Sequence, residues 1–169
     1  DLVSSRGLGD VYKRQAFRMD PTIPLVIPEI NPQEATKLLD TPSKKGGIIA
    51  NPNCSTIMMN IAVWPIYQQV GIERMVISTY QAASGAGMQA MNELEQQARD
   101  WVNNQPLKGC FDKQYLWNLF SHNSDIDAST GYNEEELKMI NETKKIFNDD
   151  TLKITATCVR VPILRAHCE

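Results

Sequence analysis

The sequence has no excess of positive charge: 17 lysines and arginines against 20 aspartates and glutamates leave a net charge of −3 and a pI near 5.4. A chain so balanced has no field with which to hold nucleic acid or an anionic membrane surface, so neither is expected as a partner. No stretch approaches the roughly 18 consecutive apolar residues that cross a bilayer, and the N-terminus lacks the apolar core of a signal peptide. A soluble, cytoplasmic protein is expected. Cysteine is scarce: Cys54, Cys110, Cys158 and Cys168 lie far apart and form no CxxC pair. Neither a zinc site nor a redox dithiol is therefore expected, and no metal is assigned. Histidine is scarcer still, with only His122 and His167. There is no GxGxxG or GxxGxxG phosphate loop, no internal repeat and no low-complexity segment.

What is present is ordinary globular composition, 42% hydrophobic and 22% charged over 169 residues, enough for about one domain with a buried core. The first fifteen residues, DLVSSRGLGDVYKRQ, show neither helical nor strand periodicity and resemble translated adapter sequence. They are expected to be a non-native or disordered arm. The last nine, VPILRAHCE, read as a strand that stops without a cap or turn, which points to truncation. Between them, IPLVIPEI (23–30) and GGIIA (46–50) read as short strands, and 31–39 as a helix that Asn31 could cap. Residues 55–70 read as a buried helix that Pro65 should kink or divide. A strand is expected over 74–83, followed by the small-residue loop SGAG, 84–87. A helix over 88–102 should bury Met91, Leu94, Ala98 and Trp101. Residues 103–132 read as a long excursion with little regular structure. A capped amphipathic helix is expected over 134–147 and a strand over 152–164. Strands alternating with helices over a mixed sheet make this an α/β or α+β chain.

The segment ANPNCST, 50–56, sits between an apolar run and a helix. It places Cys54 in a first helical turn, where free N–H groups and the positive dipole end favour a thiolate. A buried structural cysteine is the alternative. His167 is the second reactive candidate, against the alternative of an ordinary satisfied polar residue, and His122 carries no pattern. Glu135 and Lys138, at i and i+3, share a helix face and could enter one pocket or form a surface ion pair. Arg160, on a strand, could hold a carboxylate in two-pronged fashion or make a structural salt bridge.

NPNCST, STYQAASGAG (78–87), ETKKI (142–146) and TCVRVPILRAHCE (157–169), in that order and preceded by AFRMDPTIPLVIPEIN (16–31), resemble bacterial aspartate-semialdehyde dehydrogenase. The resemblance implies an α+β catalytic domain of the glyceraldehyde-3-phosphate dehydrogenase-like kind, whose N-terminal Rossmann domain is mostly absent. On it, 16–53 would be the remnant of the dinucleotide-binding domain and 54–169 a partial catalytic and dimerisation domain. The implied reaction is NADPH-dependent reductive dephosphorylation of L-aspartyl-4-phosphate to L-aspartate-4-semialdehyde, toward lysine, threonine, methionine and diaminopimelate. NADP is the implied cofactor, and the implied partners are the small-molecule substrate, phosphate and further copies in a homodimer or homotetramer. Carried over by motif, Cys54 is the nucleophile and His167 the general acid/base. Gln81 positions the acyl group and Asn53 stands beside the nucleophile. Arg160 would hold the substrate carboxylate and Glu135 its amino group. Arg18 and Lys138 would bind phosphate, while Ser84 and Gly85 would meet the cofactor.

The chemistry agrees with these roles. A soft thiolate forms a thioester that can accept hydride and collapse to an aldehyde. One imidazole can take the thiol proton and later return one. His167 is therefore expected within a few ångströms of the Cys54 sulfur, with Arg160 and Gln81 lining the same cleft and His122 apart from it. N-acetyl-glutamyl-phosphate reductase, with glycine in place of Asn53, fits the motif less well. A silent assembly partner should have lost Cys54 or His167, and the chain keeps both. The isolated chain is expected to be inactive.

Overall fold

The computed structural model describes residues 17–39, 47–109, 111, 113–122 and 124–169. The expected arm over 1–15, the start of the 46–50 run and Cys110 lie outside the described residues. The elements in chain order are α1 (Pro32–Leu39), α2 (Cys54–Val70), β1 (Arg74–Gln81), a 3₁₀ turn (Ala83–Ala86), α3 (Met88–Val102), β2 (Phe120–Ser121), α4 (Glu134–Phe147) and β3 (Lys153–Arg160). The strands form one sheet in the order β1-β3-β2. Phe120 lies opposite Arg160 and Ser121 opposite Val159 in an antiparallel pair. Lys153 N–H donates to the Glu73 carbonyl at one end and Val161 N–H to the Gln81 carbonyl at the other, so β1 and β3 run parallel. The sheet is therefore mixed, as the sequence implies.

The chain divides into two compact units. The first takes in the described residues up to Met75 together with Lys138–Ile154; the second is Val76–Leu137 with Thr155–Glu169. In the first, Leu25, Ile27, Met59, Met139 and Leu152 are buried, and Trp64 stacks on Tyr67 while Phe147 packs tilted against both, with ring centroids 4.7–5.7 Å apart. In the second, Ala83, Ala90, Met91, Leu94, Tyr115 and Leu116 form the core, with Phe111 and Phe120 packed against it.

Five elements depart from expectation. Among the described residues the run 23–30 makes a single parallel bridge, Leu25 to Ala50, because Pro24 and Pro28 remove ladder donors. Asn31 does not cap α1. Its side chain accepts from Ile27 N–H at 2.8 Å and donates to the Leu25 carbonyl at 2.9 Å, leaving Pro32 to open the helix at a position where no N–H is needed. Of the kink or break expected at Pro65, there is no break: α2 runs on from Cys54 to Val70. Pro65 and Ile61 both lie on an exposed side, where solvent can satisfy the released Ile61 carbonyl. That helix is also less buried than its composition suggests, with Met58, Ile61, Ile66 and Val70 exposed.

The expected terminal strand is a hook. β3 ends at Arg160, Ile163 N–H turns back to the Val161 carbonyl, Ala166 adopts φ 71°, and Cys168 then pairs antiparallel with Tyr80. Pro162 cannot donate to a ladder, which explains the early stop. The expected stripe on α3 also rotates: Met91 and Leu94 are buried, but Trp101 is 57% exposed and Ala98 is exposed, while Glu93 and Gln97 are buried instead.

Candidate functional site

The candidate residues fall into both units, Cys54 in the first and His167 in the second. In the first unit, α2 begins at Cys54 itself. Asn53 is its N-cap, its Oδ1 accepting from Ser55 N–H at 3.0 Å and Thr56 N–H at 3.3 Å. Cys54 is exposed, so a soluble electrophile can reach the thiol at a helix N-terminus. Asn53 is held in turn: its N–H donates to Glu142 Oε2 at 2.7 Å, and Glu142 Oε1 lies 3.2 Å from an Arg18 Nη. Glu142 is 1% exposed, so Arg18 offsets a buried carboxylate that would otherwise oppose negative charge on the neighbouring thiol.

The same motif does more. Thr143 donates to Asn60 on α2 at 3.2 Å, and Lys145 Nζ donates to the carbonyls of Arg18, Asp20 and Ile23 at 2.7, 2.7 and 2.9 Å. ETKKI thus fixes both the helix start at Cys54 and the segment that carries Arg18. A cavity of about 780 Å³ between that segment, α1 and the end of α4 is lined by none of the candidate residues.

In the second unit the organising group is the Ala82 peptide that follows β1. Its N–H donates to His167 Nδ1 at 3.0 Å and its carbonyl accepts from an Arg160 Nη at 2.6 Å. Because Nδ1 is an acceptor, the neutral imidazole carries its proton on Nε2. Burial and then Arg160 lower the His167 pKa below its ordinary 6.5, with Glu135 acting in the opposite sense. The Nε2 edge of the ring faces Gly85 so closely that a Cβ there would stand 2.8 Å from Nε2 and 2.9 Å from Cε1, and 3.4 Å from an Arg160 Nη. Glycine at 85 is a steric requirement of this ring position.

Gln81, buried at the end of β1, donates from Nε2 to Glu135 Oε1 at 3.5 Å and to Thr79 Oγ1 at 3.2 Å. Glu135 is 4% exposed and Arg160 fully buried, so Glu135 does not sit in an exposed surface ion pair. Ser84 and Gly85 lie in the 3₁₀ turn, with Gly85 exposed and Ser84 half-buried. The turn's amides are largely committed: Ala83 and Ser84 donate to the carbonyls of Ile163 and Leu164, and Gly85 and Gly87 donate within the turn. The result is a small-residue surface beside the imidazole. Gly87, at φ 92°, makes the left-handed step into α3.

The structure brings Gln81, Glu135, Arg160 and His167 together in one unit and Cys54, Asn53 and Arg18 in the other. Lys138 stands on α4, half-buried, in the first unit. Two residues escape sequence reasoning. Glu142 sits inside a quoted motif, and its i, i+3 partnership with Lys145 could have flagged a shared face. His122, expected apart from the cleft, accepts from an Arg160 Nη at 2.7 Å. No local pattern announces that contact. Cys158 is buried, and burial drives its thiol up to about 12, which makes it a poor nucleophile. Among the described residues, no group of three or more His, Cys, Asp or Glu side chains is arranged to hold a metal.

Residues 63–169 match the family model described as the semialdehyde dehydrogenase dimerisation domain. The chain is 48% identical over 169 residues to an aspartate-semialdehyde dehydrogenase of Prochlorococcus marinus, and 48% identical over 168 to one of Synechocystis. Those matches cover 99% of this chain and 47% of each relative, so the chain spans about half the length of the curated relatives it matches. The crystal structure of aspartate semialdehyde dehydrogenase II from Vibrio cholerae superposes with a TM-score of 0.82 at 43% identity, covering 89% of this chain and 44% of that one. That enzyme has also been crystallised complexed with ASA.

Proposed function

The chain belongs to the semialdehyde dehydrogenase family, and from that premise we propose that it carries the catalytic half of an aspartate-semialdehyde dehydrogenase: 16–53 as a remnant of the dinucleotide-binding domain and 54–169 as part of the catalytic and dimerisation domain. The reaction is reductive dephosphorylation of L-aspartyl-4-phosphate to L-aspartate-4-semialdehyde and phosphate, in the biosynthesis of lysine, threonine, methionine and diaminopimelate. The observation that carries this reading is the double use of the Ala82 peptide, which orients an imidazole and a guanidinium side by side. Such a pair serves an acid/base step next to a carboxylate anchor.

Cys54 thiolate attacks the acyl carbonyl, forming a C–S bond as the C–O bond to phosphate breaks. Phosphate leaves toward Arg18 and Lys138. NADPH, when bound, supplies the hydride that reduces the thioester. The His167 Nε2–H donates to the oxygen that becomes anionic, and collapse of the thiohemiacetal returns the thiolate and releases the aldehyde. Taking up the thiol proton before attack requires the opposite tautomer or a ring flip, since Nδ1 is committed to Ala82. Gln81 fixes the acyl group through its amide, Arg160 receives the α-carboxylate and Glu135 the α-amino group. Ser84 and Gly85 would border the nicotinamide. The enzyme works in the cytoplasm as a homodimer or homotetramer.

The test is a protein in which this chain replaces the matching half of the Synechocystis relative. With aspartate semialdehyde, phosphate and NADP it should form NADPH, and Cys54→Ser should abolish that while leaving the thermal transition in place. An active Cys54→Ser protein, or a parent without turnover, contradicts the assignment.

A further inference from the structure

We propose that His122 is a positioning residue that holds Arg160 and Glu135, the carboxylate and amine anchors, in register for the substrate; this rests on the functional reading above. A guanidinium has donors only, so the 2.7 Å contact between an Arg160 Nη and His122 Nε2 requires an unprotonated Nε2. The proton of the neutral ring then sits on Nδ1, which faces Glu135 Oε2 at 4.0 Å. At that distance the contact is electrostatic rather than a formed hydrogen bond. One ring thus accepts from the anchor for one end of an amino acid and directs its donor at the anchor for the other.

The ring is itself well founded. Its residue continues the β2–β3 ladder: after Phe120 opposite Arg160 and Ser121 opposite Val159, His122 N–H donates to the Cys158 carbonyl at 3.1 Å. The imidazole therefore projects from a sheet edge, and its side chain is only 15% exposed. Arg160 is braced on one Nη by the Ala82 carbonyl at 2.6 Å and on the other by His122. A guanidinium held at two points has its plane fixed before substrate arrives. The substrate then binds without the entropy loss of ordering a long side chain. His122 acts through the two anchors, so it should influence binding of the amino-acid moiety far more than the chemical step.

The experiment uses the chimaera described above, with His122→Leu, His122→Asn and His122→Gln. Leucine removes the acceptor; asparagine keeps an amide but falls short of Arg160; glutamine can accept from Arg160 and donate toward Glu135. His122→Leu and His122→Asn should raise KM for aspartate semialdehyde by about tenfold or more, as expected for losing a hydrogen bond to a charged group, with kcat changed by less than about threefold. His122→Gln should bring KM back to within about threefold of the parent, and KM for NADP should not move in any variant. If the leucine variant melts early, the asparagine and glutamine pair carries the comparison. Parental KM in the asparagine variant, or a glutamine variant as impaired as the leucine one, overturns the positioning role while leaving the enzyme assignment intact. A parent without turnover overturns both.

Discussion

Cys54 and Cys158 show how position decides what one side chain can do. Cys54 is exposed at a capped helix start, whereas Cys158 lies buried with its thiol pushed up to about 12. Under limited iodoacetamide treatment Cys54 should be labelled before Cys158 and Cys168, and peptide mapping that finds Cys158 first would contradict the nucleophile assignment. Gly85→Ala should displace the His167 ring, because the added carbon would stand 2.8 Å from Nε2. Turnover in the completed enzyme should fall by about a hundredfold, the usual cost of misplacing a reacting group by about an ångström, with little change in melting temperature. His167 also predicts a pH dependence. Its folded pKa is lowered, so the unfolded chain binds the proton more readily. The stabilisation is fully present above the unfolded value near 6.5 and is lost as pH falls through it toward the lower folded value. Urea unfolding at about pH 7.5 and about pH 5 should show this loss, and His167→Gln should reduce it. Cys54, Asn53, Gln81 and His167 were legible as candidates because they lie in contiguous motifs. Glu142 and His122 were not, since their partners lie 89 and 38 residues away and only the folded chain brings them together.

The elements were legible where periodicity and caps agreed. In α4, three glutamates open the helix and two lysines close it, while Asn133 Oδ1 accepts from Glu136 N–H as Glu136 Oε2 accepts from Asn133 N–H. That reciprocal box fixes the start at Glu134, as the sequence predicts. In α3 the apolar pattern misled, because its buried face is set by a glutamine. Gln97 Oε1 accepts from the N–H groups of Tyr115 and Leu116 at 3.0 and 2.8 Å, and its Nε2 donates to Glu93 and to the Lys108 carbonyl. The helix turns this polar side chain inward, where it ties down part of the long 103–132 excursion, and Ala98, the next residue round the helix, faces out. β2, two residues long, is too short for any alternation to be seen in sequence. Gln97→Leu keeps the volume but orphans two buried amide donors, so it should cost about 2–4 kcal/mol. Urea unfolding followed by aromatic fluorescence checks this, and a loss below about 0.5 kcal/mol would mean that the excursion does not depend on Gln97.

At the scale of the whole molecule, the chemistry needs more than the described residues supply. Hydride transfer requires a nicotinamide held over the thioester carbon, and the chain contains no glycine-rich phosphate loop to anchor the dinucleotide. The small residues at Ser84 and Gly85 can border a reacting ring, but the amides around them are already spent on Ile163, Leu164 and the turn itself. Large apolar side chains are also left facing solvent, among them Ile48, Ile49, Val70, Val76 and Val102, which predicts dye binding and self-association. The 169-residue chain alone should therefore bind anilinonaphthalene sulfonate and form no NADPH from aspartate semialdehyde, phosphate and NADP, whereas the chimaera should do the reverse. The chimaera also tests whether the two reactive groups serve one reaction. If they do, His167→Ala should change the pH profile of Cys54 alkylation as well as turnover, because removing a proton acceptor for the thiol alters how readily the thiolate forms. An alkylation profile indifferent to His167 would separate the two residues, and NADPH formation by the unextended chain would show that the nucleotide-binding half contributes less than the chemistry demands.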